Sequence, residues 1–197
     1  WVNLVDGQSL KGWRASENKS SWKVADGCLL ADGPRSHLFY SGGVNSANFR
    51  NFEAEFEVLT QPKANSGFFF HTAYQEKGWL SKGFEVQVNN TATGEGAYRE
   101  NKKTGSLYGV RNVYKAFTKD DEWVRVHVAV RRKNVQVHVN GMLVVDYTES
   151  TPPLTHPEDP GRVLSSGTFA LQCHDPGSKA RYRNLRVRPL PDNVEPP

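Results

Sequence analysis

The chain has 197 residues, 37% of them hydrophobic and 11% aromatic, with a formal net charge of +4. That length suits one domain with a core of its own. Lys and Arg are interleaved with Asp and Glu and form no basic stripe, which argues against a nucleic-acid-binding face. No stretch approaches 18 consecutive apolar residues, which excludes a membrane-spanning helix. The chain begins at Trp1 instead of Met, so a removed leader and an exported protein, periplasmic or extracellular, are expected. The two cysteines, Cys28 and Cys173, lie far apart, each in a strand-like stretch. A disulfide between them suits an exported protein, but two buried free thiols are the favoured reading.

Strand signals run the length of the chain, and no segment carries a helical period or an internal repeat. Trp22-Lys23-Val24 and Cys28-Leu29-Leu30 flank a turn at Asp26-Gly27. Phe52 to Val58 alternates strictly, acidic side chains on one face and apolar ones on the other. Strands follow at Ser66 to Thr72 and Gly83 to Asn89, and then residues 90 to 118 are Gly-, Asn- and Lys-rich with little periodicity. Val124 to Val130, a turn around Arg132-Lys133-Asn134, Val135 to Val139, the hairpin dipeptide Asn140-Gly141, and Met142 to Tyr147 read as a three-stranded meander. Residues 150 to 166 carry four prolines and a histidine. Thr168 to His174 and Ala180 to Arg188 close the series, the last breaking step at Arg183-Asn184, the mark of a β-bulge. Many short strands without helices predict an all-β sandwich or barrel over residues 1–190, a two-sheet antiparallel jelly roll being favoured, with a frayed Pro-rich tail at 191–197. Long irregular loops such as 90–118 and 150–166 are candidate walls of a site.

The informative strand is Gly83-Phe84-Glu85-Val86-Gln87-Val88-Asn89. Alternation sends Phe84, Val86 and Val88 to the core and Glu85, Gln87 and Asn89 together to the other face. The same rule sets Gln172 and His174 opposite Leu171 and Cys173, and gives His71 the face of Phe69. If these strands adjoin, one open face carries a carboxylate, two imidazoles and amides beside aromatic rings, the composition of a sugar cleft. Taken singly, each is ordinary: an outward Glu on an antiparallel strand is usually solvated, and alternation is what any half-exposed strand shows.

The residues also resemble a family, the bacterial 3-keto-disaccharide hydrolase family, over nearly the whole length. Leu4-Val5-Asp6-Gly7-Gln8-Ser9-Leu10-Lys11-Gly12-Trp13 is similar to its opening motif, and Trp22-Lys23-Val24-Ala25-Asp26-Gly27 to its W-x-V-x-D-G. In the family's order follow Asn51-Phe52-Glu53, Asn65-Ser66-Gly67-Phe68-Phe69-Phe70, Phe84-Glu85-Val86-Gln87, Thr104-Gly105-Ser106-Leu107-Tyr108, Glu122-Trp123, Asn140-Gly141, Leu171-Gln172-x-His174 and Arg183-Asn184-Leu185-Arg186. The resemblance implies a concanavalin A-like lectin/glucanase fold and a glycosyl hydrolase or lyase acting on an oligosaccharide or keto-glycoside. Two positions depart from it: His71 stands where the family commonly has Arg, and Asp175 where it commonly has Gly.

These readings give Glu85 and His174 as candidate catalytic residues, and Gln87, Asn65, His71, Tyr108 and Gln172 as candidate substrate contacts. Ordinary glycosidases use two carboxyl groups across the scissile bond, and the predicted face offers one. A 3-keto sugar opens another route. Its ketone acidifies the C2 hydrogen, so one base permits elimination at C1, and water is then added back. Glu85 or His174 can serve as base and acid, with Gln87 and Asn65 as donors to the enolate oxygen. A divalent metal on His71, Glu85 and His174 is the alternative way to polarise the ketone. Two readings without chemistry stand beside these. One is a carbohydrate-binding module on the same fold; the other is a laminin-G-like scaffold, which leaves the polar strand face unexplained.

Overall fold

The computed structural model of the protein describes all 197 residues and contains thirteen strands and no α-helix. The strands are β1 Val2–Asn3, β2 Trp13–Ala15, β3 Trp22–Ala25, β4 Cys28–Ala31, β5 Ser36–Tyr40, β6 Phe52–Thr60, β7 Asn65–Thr72, β8 Phe84–Asn89, β9 Val124–Arg131, β10 Asn134–Val139, β11 Met142–Thr148, β12 Thr168–Cys173 and β13 Ala180–Pro189. Two antiparallel sheets result. The larger runs β11-β10-β9-β6-β13-β4-β3 with β1 on β13, and the smaller runs β2-β5-β12-β7-β8. The expected sandwich and its meander, β9 to β11, are therefore present.

Alternation explains the core. On β6, Phe52, Ala54, Phe56 and Val58 are buried, and they face Phe68 and Phe70 of β7, Phe84, Val86 and Val88 of β8, and Phe169 and Leu171 of β12 in one apolar cluster. Phe169 stacks between Phe49, at 4.3 Å, and Phe68, at 5.3 Å. On the outer face of the larger sheet, Glu53, Glu55 and Glu57 pair with Arg188, Arg186 and Arg183 of β13, which is why that strand reads as alternating charge. The step at Arg183-Asn184 is a bulge: the β6 register jumps between Arg183 and Arg186, and Asn184 has φ 53°. Both cysteines are free and buried, Cys28 in the larger sheet and Cys173 in the smaller.

The smaller sheet departs from simple alternation. β5, β7, β8 and β12 are buried along their whole length. Their second face is not open to solvent; the connections after β7, after β8 and before β12 cover it. Asn89 fastens one of these covers. Its side-chain amide donates to the Ala92 and Lys102 carbonyls and accepts from the Ala92 N–H, so it holds the 90–102 segment and does not face the cleft.

His71 corrects an expectation. Between Thr168↔Thr72 and Ala170↔Phe69 two residues of β7 oppose one of β12, and His71 at the bulge has φ 56°. A one-residue slip sends a side chain to the other face. His71 accordingly packs on Phe52 and Phe70 at the core edge, away from Phe69's face. Its Nδ1 accepts from the Ser165 N–H and its Nε2 lies 2.8 Å from the Arg50 carbonyl, to which it donates. Burial lowers this imidazole to about 4, so it is neutral. Its role is structural, tying the 50s segment to the start of β12. Replacing His71 by Ala is expected to cost about 2–4 kcal/mol of stability, from two lost hydrogen bonds and a cavity. The specificity constant on any turned-over sugar should stay within about twofold; a variant of unchanged melting temperature with a strongly raised KM would return His71 to the site.

Candidate active site

The buried face of the smaller sheet forms the floor of a cavity of about 310 Å³, within the range of small-molecule pockets. Asn65 and Phe69 of β7, Glu85 and Gln87 of β8, and Gln172 with His174 at the end of β12 build the floor and one wall. Trp79 and Leu80 come from the connection after β7, Tyr98, Glu100 and Tyr108 from the 90–118 segment, and Arg162 from the 150–166 segment. Of the residues expected at the site, Glu85, His174, Gln87, Asn65, Tyr108 and Gln172 meet here; His71 does not. The five loop residues Trp79, Leu80, Tyr98, Glu100 and Arg162 are additions that strand alternation does not announce.

Glu85 is the buried centre. Its β8 position pairs with Phe69 of β7, and its carboxyl lies across Gly67, where a Cβ would come within 2.3 Å of Oε1. Only glycine leaves that space. The Gln87 amide, oriented so that its oxygen does not face acceptors alone, brings its nitrogen 2.9 Å from the Ser66 carbonyl and 3.3 Å from Glu85 Oε1. The far side of that amide meets the Asn65 amide at 3.2 Å. Burial pushes the Glu85 carboxyl up to about 8, with the neighbouring Glu100 charge adding to the rise and Arg162 and Lys102 opposing it. At neutral pH this group carries its proton.

Glu100 is the second carboxylate of the cavity, and its oxygens are occupied. Tyr98 and Tyr108 both donate to Oε2, and the Lys102 N–H donates to Oε1 at 2.8 Å. Lys102 also stands 4.2 Å over the Tyr108 ring and 3.8 Å from Glu100. Glu100 thus orients two phenols and the segment that bears them. Arg162 also sits over the Tyr108 ring, 5.4 Å from its centroid, and its Nε lies 3.2 Å from Asp159, an ion contact without good hydrogen-bond alignment.

His174 stands between two aromatic rings, Trp79 at 4.8 Å and Tyr98 at 6.1 Å. Its Nδ1 is 2.7 Å from Asp175 Oδ2. Burial works against ionising Asp175, but hydrogen bonds from His174, Ser178 and the Gly177 N–H outweigh it and hold the carboxyl below its ordinary range. An ionised carboxylate only accepts, so Nδ1 carries the hydrogen and Nε2, which has no partner in the protein, keeps its lone pair. Asp175, which departs from the family pattern, thereby fixes the tautomer and orientation of His174.

The metal set His71–Glu85–His174 is not assembled, because His71 lies beyond the bulge, and nowhere in the chain do three His, Cys, Asp or Glu side chains converge.

Known proteins agree with this arrangement at the level of fold. A Parabacteroides distasonis protein provisionally named a glycosyl hydrolase shares 21% identity, with 95% of this chain and 93% of that one covered at a TM-score of 0.78. The carbohydrate-binding module CBM66 from Bacillus subtilis superposes with a TM-score of 0.62 at 13% identity, covering 89% and 94%. The exoplasmic/lumenal domain of VIP36, in a Ca2+/Man-bound form, does so at 0.61 and 11% identity, covering 98% and 91%. These likenesses identify a lectin-like sandwich. Among curated proteins none matches the sequence. The sequence itself goes further than the fold, matching one family from residue 1 to residue 188, a span that holds every floor and wall residue of the cavity, and the chain belongs to the 3-keto-alpha-glucoside-1,2-lyase-like domain family.

Proposed function

We propose that the protein is an enzyme that cleaves 3-keto-glycosides by base-assisted elimination and then hydrates the product. One observation carries this reading: a carboxyl group protonated near neutral pH shares a cavity with an imidazole whose basic nitrogen is held free by a carboxylate. A carboxyl that holds its proton can serve as the acid, and a ring nitrogen with a free lone pair beside it as the base. Membership of the 3-keto-alpha-glucoside-1,2-lyase-like domain family supports the substrate class.

The C3 ketone makes the C2 hydrogen acidic. His174 Nε2 takes that proton, and the C–H electron pair becomes the C1=C2 bond. The C1–O bond breaks, and the departing oxygen takes the proton of Glu85. Negative charge gathers meanwhile on the ketone oxygen, for which the Asn65 amide and the Arg162 guanidinium, both lining the cavity, are the available donors. Water then adds across the double bond, its hydroxyl to C1 with ionised Glu85 as base, and a proton returns to C2 from His174. Two-carboxylate hydrolysis fits less well, because the oxygens of Glu100 are taken up by Tyr98, Tyr108 and the Lys102 N–H.

The experiment is to incubate the protein with 4-nitrophenyl 3-keto-α-glucoside in D₂O. Release of 4-nitrophenol, with deuterium at C2 of the recovered sugar, is the expected result. Release without deuterium, together with an unchanged rate for substrate carrying deuterium at C2, would replace elimination by direct hydrolysis. Absence of turnover combined with calorimetric sugar binding would make the protein a binding module, the class to which CBM66 belongs.

A further inference from the structure

Beneath the cavity lies a polar pair to which the mechanism gives no work. His37 of β5 is fully buried, and both its ring nitrogens lack a hydrogen-bond partner. It stands directly opposite Gln172 of β12 in the strand register, so both share the face that floors the cavity. The Oε1 of Gln172, itself a lining residue, is also buried without a partner. The His37 ring meets Phe69 edge-on at 5.5 Å and Trp79 at 6.2 Å, and both of those rings line the cavity. Only side chains separate it from the sugar space.

Three unmatched polar atoms in one buried place destabilise a fold. The aromatic neighbours of His37 are Phe39, Phe69 and Trp79, among which a phenylalanine would fit without the penalty, and Glu17, Arg35 and His174 are the charged or titratable groups near it. Trp79 lies on the solvent side of them, with Tyr74 and Leu80 packed on the same patch. Trp79 is half exposed and rests beneath the Arg35 guanidinium at 4.7 Å. Its loop is held mainly by its own Gln75, by Arg35 through Glu17, and by the Gly78 N–H to Glu17.

We propose that His37 and Gln172 form a hydroxyl-recognising subsite behind Trp79, entered by a sugar hydroxyl when the indole turns outward. The chemistry selects the group. Burial lowers the imidazole to about 4, so at working pH it offers one N–H and one lone pair. A hydroxyl accepts from the His37 N–H and donates to Gln172 Oε1 at once, which neither a ketone oxygen nor a methylene does. The subsite would therefore distinguish a sugar from its deoxy analogue, the discrimination a buried hydrogen-bonding site performs best. This inference rests on the cavity being a sugar site but not on the elimination chemistry.

The test is calorimetric binding of methyl α-glucoside and its 2-, 4- and 6-deoxy derivatives. In the wild type one deoxy derivative is expected to bind at least tenfold more weakly than the parent. In His37→Phe the parent should fall to that weaker level while the melting temperature rises, since the variant loses affinity as it sheds unmatched polar atoms. Gln172→Met examines the same subsite from the opposite strand if His37→Phe does not fold. Deoxy derivatives that all bind within twofold of the parent, a His37→Phe protein that keeps the wild-type discrimination, or failure of the whole series to bind would each overturn the subsite. Because the readout is binding of unoxidised sugars, discrimination without turnover of a 3-keto glucoside would refute the lyase reading and leave the subsite standing.

Discussion

Glu85→Gln is expected to lower turnover of a 3-keto-α-glucoside by about 10²–10⁴-fold, the range of one positioned acid or base, with KM changed by less than about threefold. The variant keeps the shape and the polar amide contacts of the protonated carboxyl, including the approach of Gln87, so the loss reports the missing proton and not a collapsed wall. Wild-type turnover should fall as pH rises past about 8, where Glu85 ionises and ceases to be an acid. Gly67→Ala should act through the same group, because its Cβ would occupy the space of Oε1 and push the carboxyl off β7. A Glu85→Gln rate close to wild type, or one that retains the alkaline fall, would assign the leaving-group proton elsewhere.

Most of the fold is legible in the sequence because most strands bury one face. β6, β9 and β10 alternate, and alternation names both the strand and its inward side. β5, Ser36-His37-Leu38-Phe39-Tyr40, is buried on both faces, so no period of two marks it as a strand. β1 and β2, with two and three residues, are too short to carry a period. At the site, Glu85, Gln87, Gln172 and His174 follow from alternation on strands that do adjoin. Trp79, Tyr98, Glu100 and Arg162 stand on irregular segments, where tertiary contacts alone decide which side chains turn inward. His71 shows the opposite failure. Alternation holds through Phe68-Phe69-Phe70, but one bulge at the end of the run reverses the outcome for the next residue. His37 is hidden for the same reason as its strand.

Stability should peak near pH 6.5, and three buried groups set the shape of the curve. His37 and His71 are lowered from 6.5 to about 4 by burial, so the unfolded chain binds more protons than the folded one between those values. Their contribution is complete above 6.5 and is lost as pH falls toward 4. Glu85 is raised from 4.5 to about 8, chiefly by burial, so here the folded chain binds the extra proton. Its contribution is complete below 4.5 and is lost as pH climbs to 8. From 4.5 to 6.5 the two fully buried histidines oppose Glu85, and stability should rise by at least about 1.4 kcal/mol per pH unit, with half-buried His138, also lowered by burial, adding to the rise; from 6.5 to 8 Glu85 acts alone, and stability should fall by about 1.4 kcal/mol per pH unit. The carboxylates held low, Glu17, Glu53 and Asp175, exert their pH dependence below this window, and the Cys173 thiol, pushed up to about 11, exerts its own above it. Glu85→Gln should therefore abolish the alkaline limb and steepen the acid slope, while His37→Phe should make the acid limb shallower. Urea unfolding at half-unit steps from pH 4.5 to 8.5 measures both slopes. A wild-type curve that keeps rising to pH 8 would show that Glu85 is ionised in the folded protein at neutral pH, and would remove the acid on which the elimination depends.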